Sequence, residues 1–192
     1  MPVGRTEAGR DGESGGATET LLQEELQDLR SLVVHADHLR WITRGPDLKD
    51  FDALVYRFSE DWRRWSESVA SCLVHLGSPP DGRVSALTEG SYPAWLPGDW
   101  VEIGEAGRWI TRELGVLSEW VHVRKEEAGL SEVVRLLEGI EMGIAQERSE
   151  FREWSHGRGQ TTARAEEPAS STSPRDSKDS HSRDRDAGPD RR

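Results

Sequence analysis

The sequence predicts an all-α protein: an antiparallel four-helix bundle with a long crossover between the second and third helices, flanked by a disordered tail at each end. Three observations carry that expectation. Apolar residues recur in threes and fours through four separate stretches, each of about 25 residues. No window sustains the strict alternation of a half-buried strand, so no strand is expected. The breaks between the stretches hold Gly and Pro, which helices do not continue through.

The first helix is expected from about Thr20 to Thr43, with Leu22, Leu26, Leu29, Val33 and Ala36 on one face. The next step of that series lands on Arg40, a cation where a core residue should point. "RGPD" at 44–47 ends the helix, and Asp47 is a candidate N-cap for the second. The second carries Phe51, Val55, Phe58, Trp62, Trp65, Val69, Cys72 and Leu76, spaced alternately by four and three as in a bundle-facing stripe. "GSPPDG" stops it, and the connection to the third helix has room for one short helix. The third uses Trp100, Ile103, Gly107, Ile110, Leu114, Leu117 and Val121, with Gly129 as its stop. The fourth uses Val134, Leu137, Ile140, Ile144, Glu147, Phe151 and Trp154.

Residues 1–18 and 157–192 lack the apolar side chains needed to offset chain entropy and are expected to be disordered, leaving the bundle to residues 19–156. The C-terminal segment is a polyampholyte of eight Lys/Arg and seven Asp/Glu, so the formal net charge of -11 belongs to the bundle. Cys72 is the single cysteine, which rules out an intrachain disulfide and favours a reducing compartment, here the cytoplasm. No apolar run reaches the roughly 20 residues of a membrane helix, and "MPVGRTEAGRDGESGGAT" has no secretory h-region.

The stretch "RWITRGPDLKDFDALVYRFSEDWRRWSESVASCLVHLGSPPDG" resembles the Dps branch of the ferritin-like proteins, the starvation-induced mini-ferritins. That family has a His-Trp pair ending its first helix, then Arg-Gly-Pro, then a long helix closing on Leu-Gly-Gly. Trp41, Arg44, Gly45, Pro46, Leu76 and Gly77 match, as do "SYP" at 91–93 and the aromatic end of the fourth helix at Phe151 and Trp154. The resemblance spans about residues 20–156. It implies a ferritin-like fold, a homo-oligomer (a dodecamer built through two-fold and three-fold contacts), iron binding and storage, stress protection, and oxidation of Fe2+ with H2O2 at a di-iron centre between subunits.

The same resemblance exposes a departure at that centre. The family's ligands are two His and an Asp from one subunit and an Asp and a Glu from its partner. Carried onto this chain, those positions hold Arg40, Asp52, Tyr56, Glu67 and Ser71. Asp52 and Glu67 alone could ligate iron, and neither is the family's residue at its position. Arginine stays protonated and repels a metal ion. Arg40 therefore has three readings: it replaces the metal, bridging Asp52 in its own subunit and Glu67 in a partner; it snorkels to the surface near the helix end; or a displaced carboxylate site survives beside it, drawing on Asp37. No residue is singled out as catalytic, and ferroxidase activity is expected to be weak or absent.

The remaining constellations carry weaker signals. His35 and His38 lie near Asp37, but His38 projects about 200° around the helix from Arg40, and a solvated histidine is the expectation. Glu119 and His122 match a Glu-x-x-His spacing but have no second copy on another helix, and read as surface residues. Tyr56, Glu60, Arg63, Glu67 and Ser71 form a polar stripe on the second helix, either a solvated face or a subunit interface. Trp41 keeps the position of the family's site-adjacent tryptophan. Glu132 and Glu138 could line acidic pores in a shell. DNA binding would rest on Arg5 and Arg10 against three acids in the N-terminal arm, too little basic charge to hold phosphates without divalent cations. Three function classes remain open: a shell protein linked to iron and stress protection with a degenerate centre and loose nucleoid association at most, an active ferroxidase using a displaced site, and a non-catalytic structural protein or co-assembly partner of an intact Dps paralogue.

Overall fold

A computed structural model describes the backbone over residues 8–88, 96 and 98–165, with side chains over 16–87, 96 and 98–155. Its elements are α1 (Ala8–Ile42), β1 (Thr43–Arg44), α2 (Leu48–His75), α3 (Val84–Thr88), β2 (Val101–Glu102), α4 (Ile103–Glu127) and α5 (Ser131–Ala165). α1 packs along α2 and α4 along α5, giving two helical hairpins joined by the crossover that contains α3. One core cluster draws on all four long helices.

α1 begins at Ala8 and α5 runs to Ala165, so helix reaches past both expected bounds of the bundle. Arg5, the side chain of Arg10, the "SYP" segment and residues 166–192 fall outside the described residues. No helix among the described residues is long and apolar enough to cross a membrane.

The four stripes are the expected ones with a shift in register at several points. On α1 the face continues through Leu32 and Leu39, both fully buried, rather than stepping to Arg40. Leu39 completes the i, i+3 step from Ala36, which leaves Arg40 at the edge of the stripe. On α2 the buried face runs Phe51, Leu54, Val55, Phe58, Ser59, Trp62, Ser66, Val69 and Leu73, while Trp65, Cys72 and Leu76 pack only partly against it. A straight helix drifts from a strict heptad, and over 28 residues the drift moves the late positions off the seam. On α5 Val133 takes the place expected of Val134, and Trp100 lies exposed ahead of α4.

Three local expectations are corrected. A strand pair exists: Thr43 and Arg44 pair in parallel with Val101 and Glu102 where the exit from α1 runs beside the entry to α4. Two residues per strand leave no alternation to read in a sequence. Asp47 stands at the N-cap of α2, but at φ 60° its side chain makes no capping bond. Its carbonyl instead accepts from the Asp50 and Phe51 amides at 3.0 and 3.1 Å. α4 ends at Glu127 and is capped by Ala128, whose amide donates to the Arg124 carbonyl at 2.9 Å, one residue before the expected glycine stop.

The stop of α2 holds as read. Gly77 at φ 84° donates to the Val74 carbonyl at 3.0 Å, and Ser78 donates to the Leu73 carbonyl at 2.9 Å. This pair of bonds is a Schellman motif, which needs the left-handed conformation that glycine adopts freely. Gln23 of α1 then pins the crossover, donating to the Asp81 carbonyl at 2.8 Å and accepting from the Asp81 amide at 2.9 Å.

Candidate functional site

The last turn of α1 and the first half of α2 lie side by side because "RGP" turns the chain within five residues. That hairpin brings Asp37 and Arg40 of α1 against Asp52, Tyr56, Glu60 and Arg63 of α2. The Arg40 guanidinium grips Asp52 with two prongs: Nε donates to Oδ1 at 2.7 Å and Nη2 to Oδ2 at 3.2 Å. Its Nη1 lies 3.5 Å from Asp37 Oδ1, and the group sits 4.9 Å from the centre of the Tyr56 ring. Arg63 continues the chain, donating from Nη2 to Asp37 Oδ2 at 2.6 Å and from Nη1 to Glu60 and to Ser59 Oγ.

The result is an alternating row of Asp52, Arg40, Asp37, Arg63 and Glu60. Three carboxylates are held by two guanidiniums. The hydrogen bond that Arg40 donates to Asp52 raises the Arg40 pKa above its ordinary value, so the cation is fixed at any physiological pH. Side chains here are partly exposed, 20% for Arg40 and 45% for Asp52, so the pairs place groups more than they stabilise the fold. Bidentate arginine–carboxylate geometry is the strong form of such a bond.

This arrangement disfavours a metal ion. Both Asp52 oxygens and both Asp37 oxygens face guanidinium nitrogens. A dication about 4 Å from one guanidinium would be repelled by roughly 8 kcal/mol at an effective dielectric of about 20. Among the described residues no group of three or more His, Cys, Asp or Glu side chains could hold a metal ion.

The other positions separate from the cluster. Glu67 and Ser71 are exposed further along α2, with Glu67 bordering a small hollow beside Arg30 and Ser66. Trp41 is 73% exposed next to Arg40. His38, expected to be solvated, is half-buried. His35 is half-buried too, bonded to the Ser31 carbonyl at 2.8 Å and stacked on Trp109 at 6.2 Å. Glu119 and His122 are exposed, and His122 pairs with Glu141 at 3.0 Å rather than with Glu119. Glu132 and Glu138 are exposed on α5.

Two buried polar sets escaped sequence reasoning, apart from the place of Glu147 in the fourth helix's series. Arg124 of α4 donates to Glu25 at 2.7 Å and to Asp28 at 2.5 Å on α1, over the Trp120 ring at 5.6 Å. Burial pushes the Glu25 carboxyl up to about 7 in spite of Arg124. On α5, Glu147 accepts from Trp62 Nε1 at 2.7 Å, and burial pushes its carboxyl up to about 8. Its second oxygen, like Oε1 of Glu25, has no hydrogen-bond partner. The available signal was position: Glu25, Arg124 and Glu147 each fall on their helix's apolar series, as Arg40 seemed from spacing to do.

No protein-family model and no curated protein matches the chain. Solved structures do. The chain is similar to Dps92 from Deinococcus radiodurans at 19% identity and a TM-score of 0.70, over 74% of this chain and 87% of that one. It is similar to a Dps protein from Bacillus brevis at 14% identity and a TM-score of 0.68, over 74% and 97%. It is similar to Dps from Microbacterium arborescens, solved in a high iron form, at 19% identity and a TM-score of 0.67, over 72% and 92%. At these identities the likeness is one of fold: the chain has the ferritin-like helical bundle of the Dps structures.

Proposed function

We propose that the chain is a Dps-type shell subunit linked to iron handling and stress protection, in which an arginine–carboxylate cluster stands where the di-iron centre between subunits would be. The two-pronged Arg40–Asp52 bond carries this reading. It sits at two of the five positions that the family resemblance assigns to iron ligands, and it neutralises by a side chain the carboxylate that a metal would neutralise. In a two-fold pair of such subunits, the Glu67 of a second copy supplies a further carboxylate to Arg40, and the exposed Trp41 and Tyr56 are covered.

Iron in this reading is cargo, bound on acidic surface carboxylates such as Glu132 and Glu138 and oxidised no faster than in solution. An intact Dps paralogue, where the cell has one, supplies the oxidation centres of a mixed shell. DNA contact through Arg5 and Arg10 needs bridging divalent cations.

The test is an anaerobic Fe2+ titration of the purified full chain, followed by hydrogen peroxide with the ferric absorbance recorded, and light scattering for the oligomer. The expected result is a closed oligomer with no stoichiometric iron at the two-fold sites and oxidation at the solution rate. Saturable binding of about two irons per two-fold site with fast oxidation would overturn the metal-replacement reading and restore the active ferroxidase. A dimer that does not grow into a shell would favour a purely structural role.

A further inference from the structure

On the opposite hairpin, the first half of α4 and residues 152–155 of α5 line a half-open cleft of about 540 Å3. Its floor is apolar: Ile103 and Trp154 face it, and Gly104 opens it by leaving no side chain in the way. Its polar rim is cationic. Arg108 and Arg112, one turn apart on α4, and Arg152 of α5 border it. No acidic residue lines it among the described residues.

That composition is unusual in a chain of net charge -11. Like charges four apart on a helix repel, and an anion between them would relieve that repulsion. Arg112 already holds Glu113 at 2.8 Å, whereas Arg108 forms no ion pair among the described residues. Arg108 and Arg112 also border a second, smaller hollow towards Leu39 and Trp109, so they stand as a ridge between two cavities. The volume lies within the roughly 300–1,000 Å3 of small-molecule sites, which combine apolar walls with a few placed polar groups.

We infer that this cleft binds a small amphipathic anion: an unbranched aliphatic chain, laid against Trp154 and Ile103, ending in one carboxylate held by Arg108 with Arg112 and Arg152 beside it. Charge complementarity selects the head group. The apolar floor selects the chain, since each methylene buried there adds to the affinity. A dianion with no apolar part would leave the floor wet, and a cation of the same length would meet three guanidiniums.

Decanoate is the probe, titrated calorimetrically into the full-length protein, with decyltrimethylammonium and acetate as comparators. Saturable decanoate binding is expected, at least tenfold tighter than either comparator. Arg108→Glu should weaken it at least tenfold. Gly104→Leu should abolish it by filling the cleft, since a Cβ there meets only Arg108 Nη1 at 3.8 Å and the helix gains propensity. Both variants should keep the wild-type melting temperature within a few degrees, which separates lost binding from lost fold. No saturable binding to the wild type, equal binding of the cationic comparator, or undiminished binding to Gly104→Leu would each overturn the assignment.

Discussion

Replacing Glu147 with Gln should change how the stability of this bundle depends on pH. The Glu147 carboxyl is buried on α5 against the Trp62 indole, and burial holds its pKa at about 8 against an unfolded value of 4.5. Between those values the folded chain keeps a proton that the unfolded chain releases. The unfolded state thus binds fewer protons, and stability falls as pH rises. Each pH unit in that window removes about 1.4 kcal/mol. From pH 5.5 to 7.5 the wild type should lose about 2 to 3 kcal/mol through this one group. Glutamine keeps an oxygen that can accept from Trp62 and cannot ionise, so that loss disappears. Its extra amide hydrogens cost about 1–3 kcal/mol if left unpaired, but equally at every pH. The comparison is therefore one of slopes. Urea unfolding of both proteins at half-unit pH steps measures it, with Glu25 and Asp28 contributing identically to each. Parallel curves would refute the reasoning, because they would mean that Glu147 ionises as readily in the fold as outside it.

Other perturbations follow from the same contacts. Arg124→Met should destabilise by about 3–5 kcal/mol near neutral pH, because it leaves Glu25 and Asp28 facing each other in the core without a cation. The deficit should shrink towards pH 5, where Glu25, already raised to about 7, is protonated, and urea unfolding at the two pH values checks this. Gly143→Ala places a Cβ against the Trp65 ring at Cζ2, so the indole must move. A loss of about 1–3 kcal/mol is expected, largely recovered in the double variant with Trp65→Leu as read by thermal unfolding. Arg40→His alone should not create iron binding in an anaerobic Fe2+ titration. The five changes Arg40→His, Asp52→His, Tyr56→Asp, Glu67→Asp and Ser71→Glu together should do so.

The fold was legible because its determinants are periodic. Heptad-like series at Phe51, Val55, Phe58 and Trp62, or at Leu137, Ile140 and Ile144, specify buried faces before any contact is known, and those residues are buried. What escaped was set by geometry that periodicity does not encode. Leu39 rather than Arg40 closes the α1 face because the stripe is wide enough to accept either step. The Thr43–Val101 pairing joins residues 58 apart and is too short to leave a pattern. Asp47 fails as a side-chain cap because the turn behind Pro46 puts it in a left-handed conformation. The buried charges were visible as letters at apolar positions, yet a lone sequence does not say which partner satisfies them. Arg124 finds Glu25 across 99 residues.

The Arg40 cluster was only half legible for a related reason. Its link to Asp52 joins two adjacent helices and could be anticipated from one hairpin. Its link to Arg63 through Asp37 could not, because Asp37 looks free on a helical wheel of α1 alone. That second link alters the meaning of the first. If Arg40 merely snorkelled, Asp37 and Asp52 would be solvated carboxylates available to a dication. With Arg63 also on Asp37, the row has guanidiniums at both of its gaps, and removing one arginine leaves the other in place. Charge balance on this face is thus built from side chains on two helices. Arg40 lies at the edge of the α1 stripe, beside the fully buried Leu39, so the row borders the core without taking the place of an apolar side chain in it.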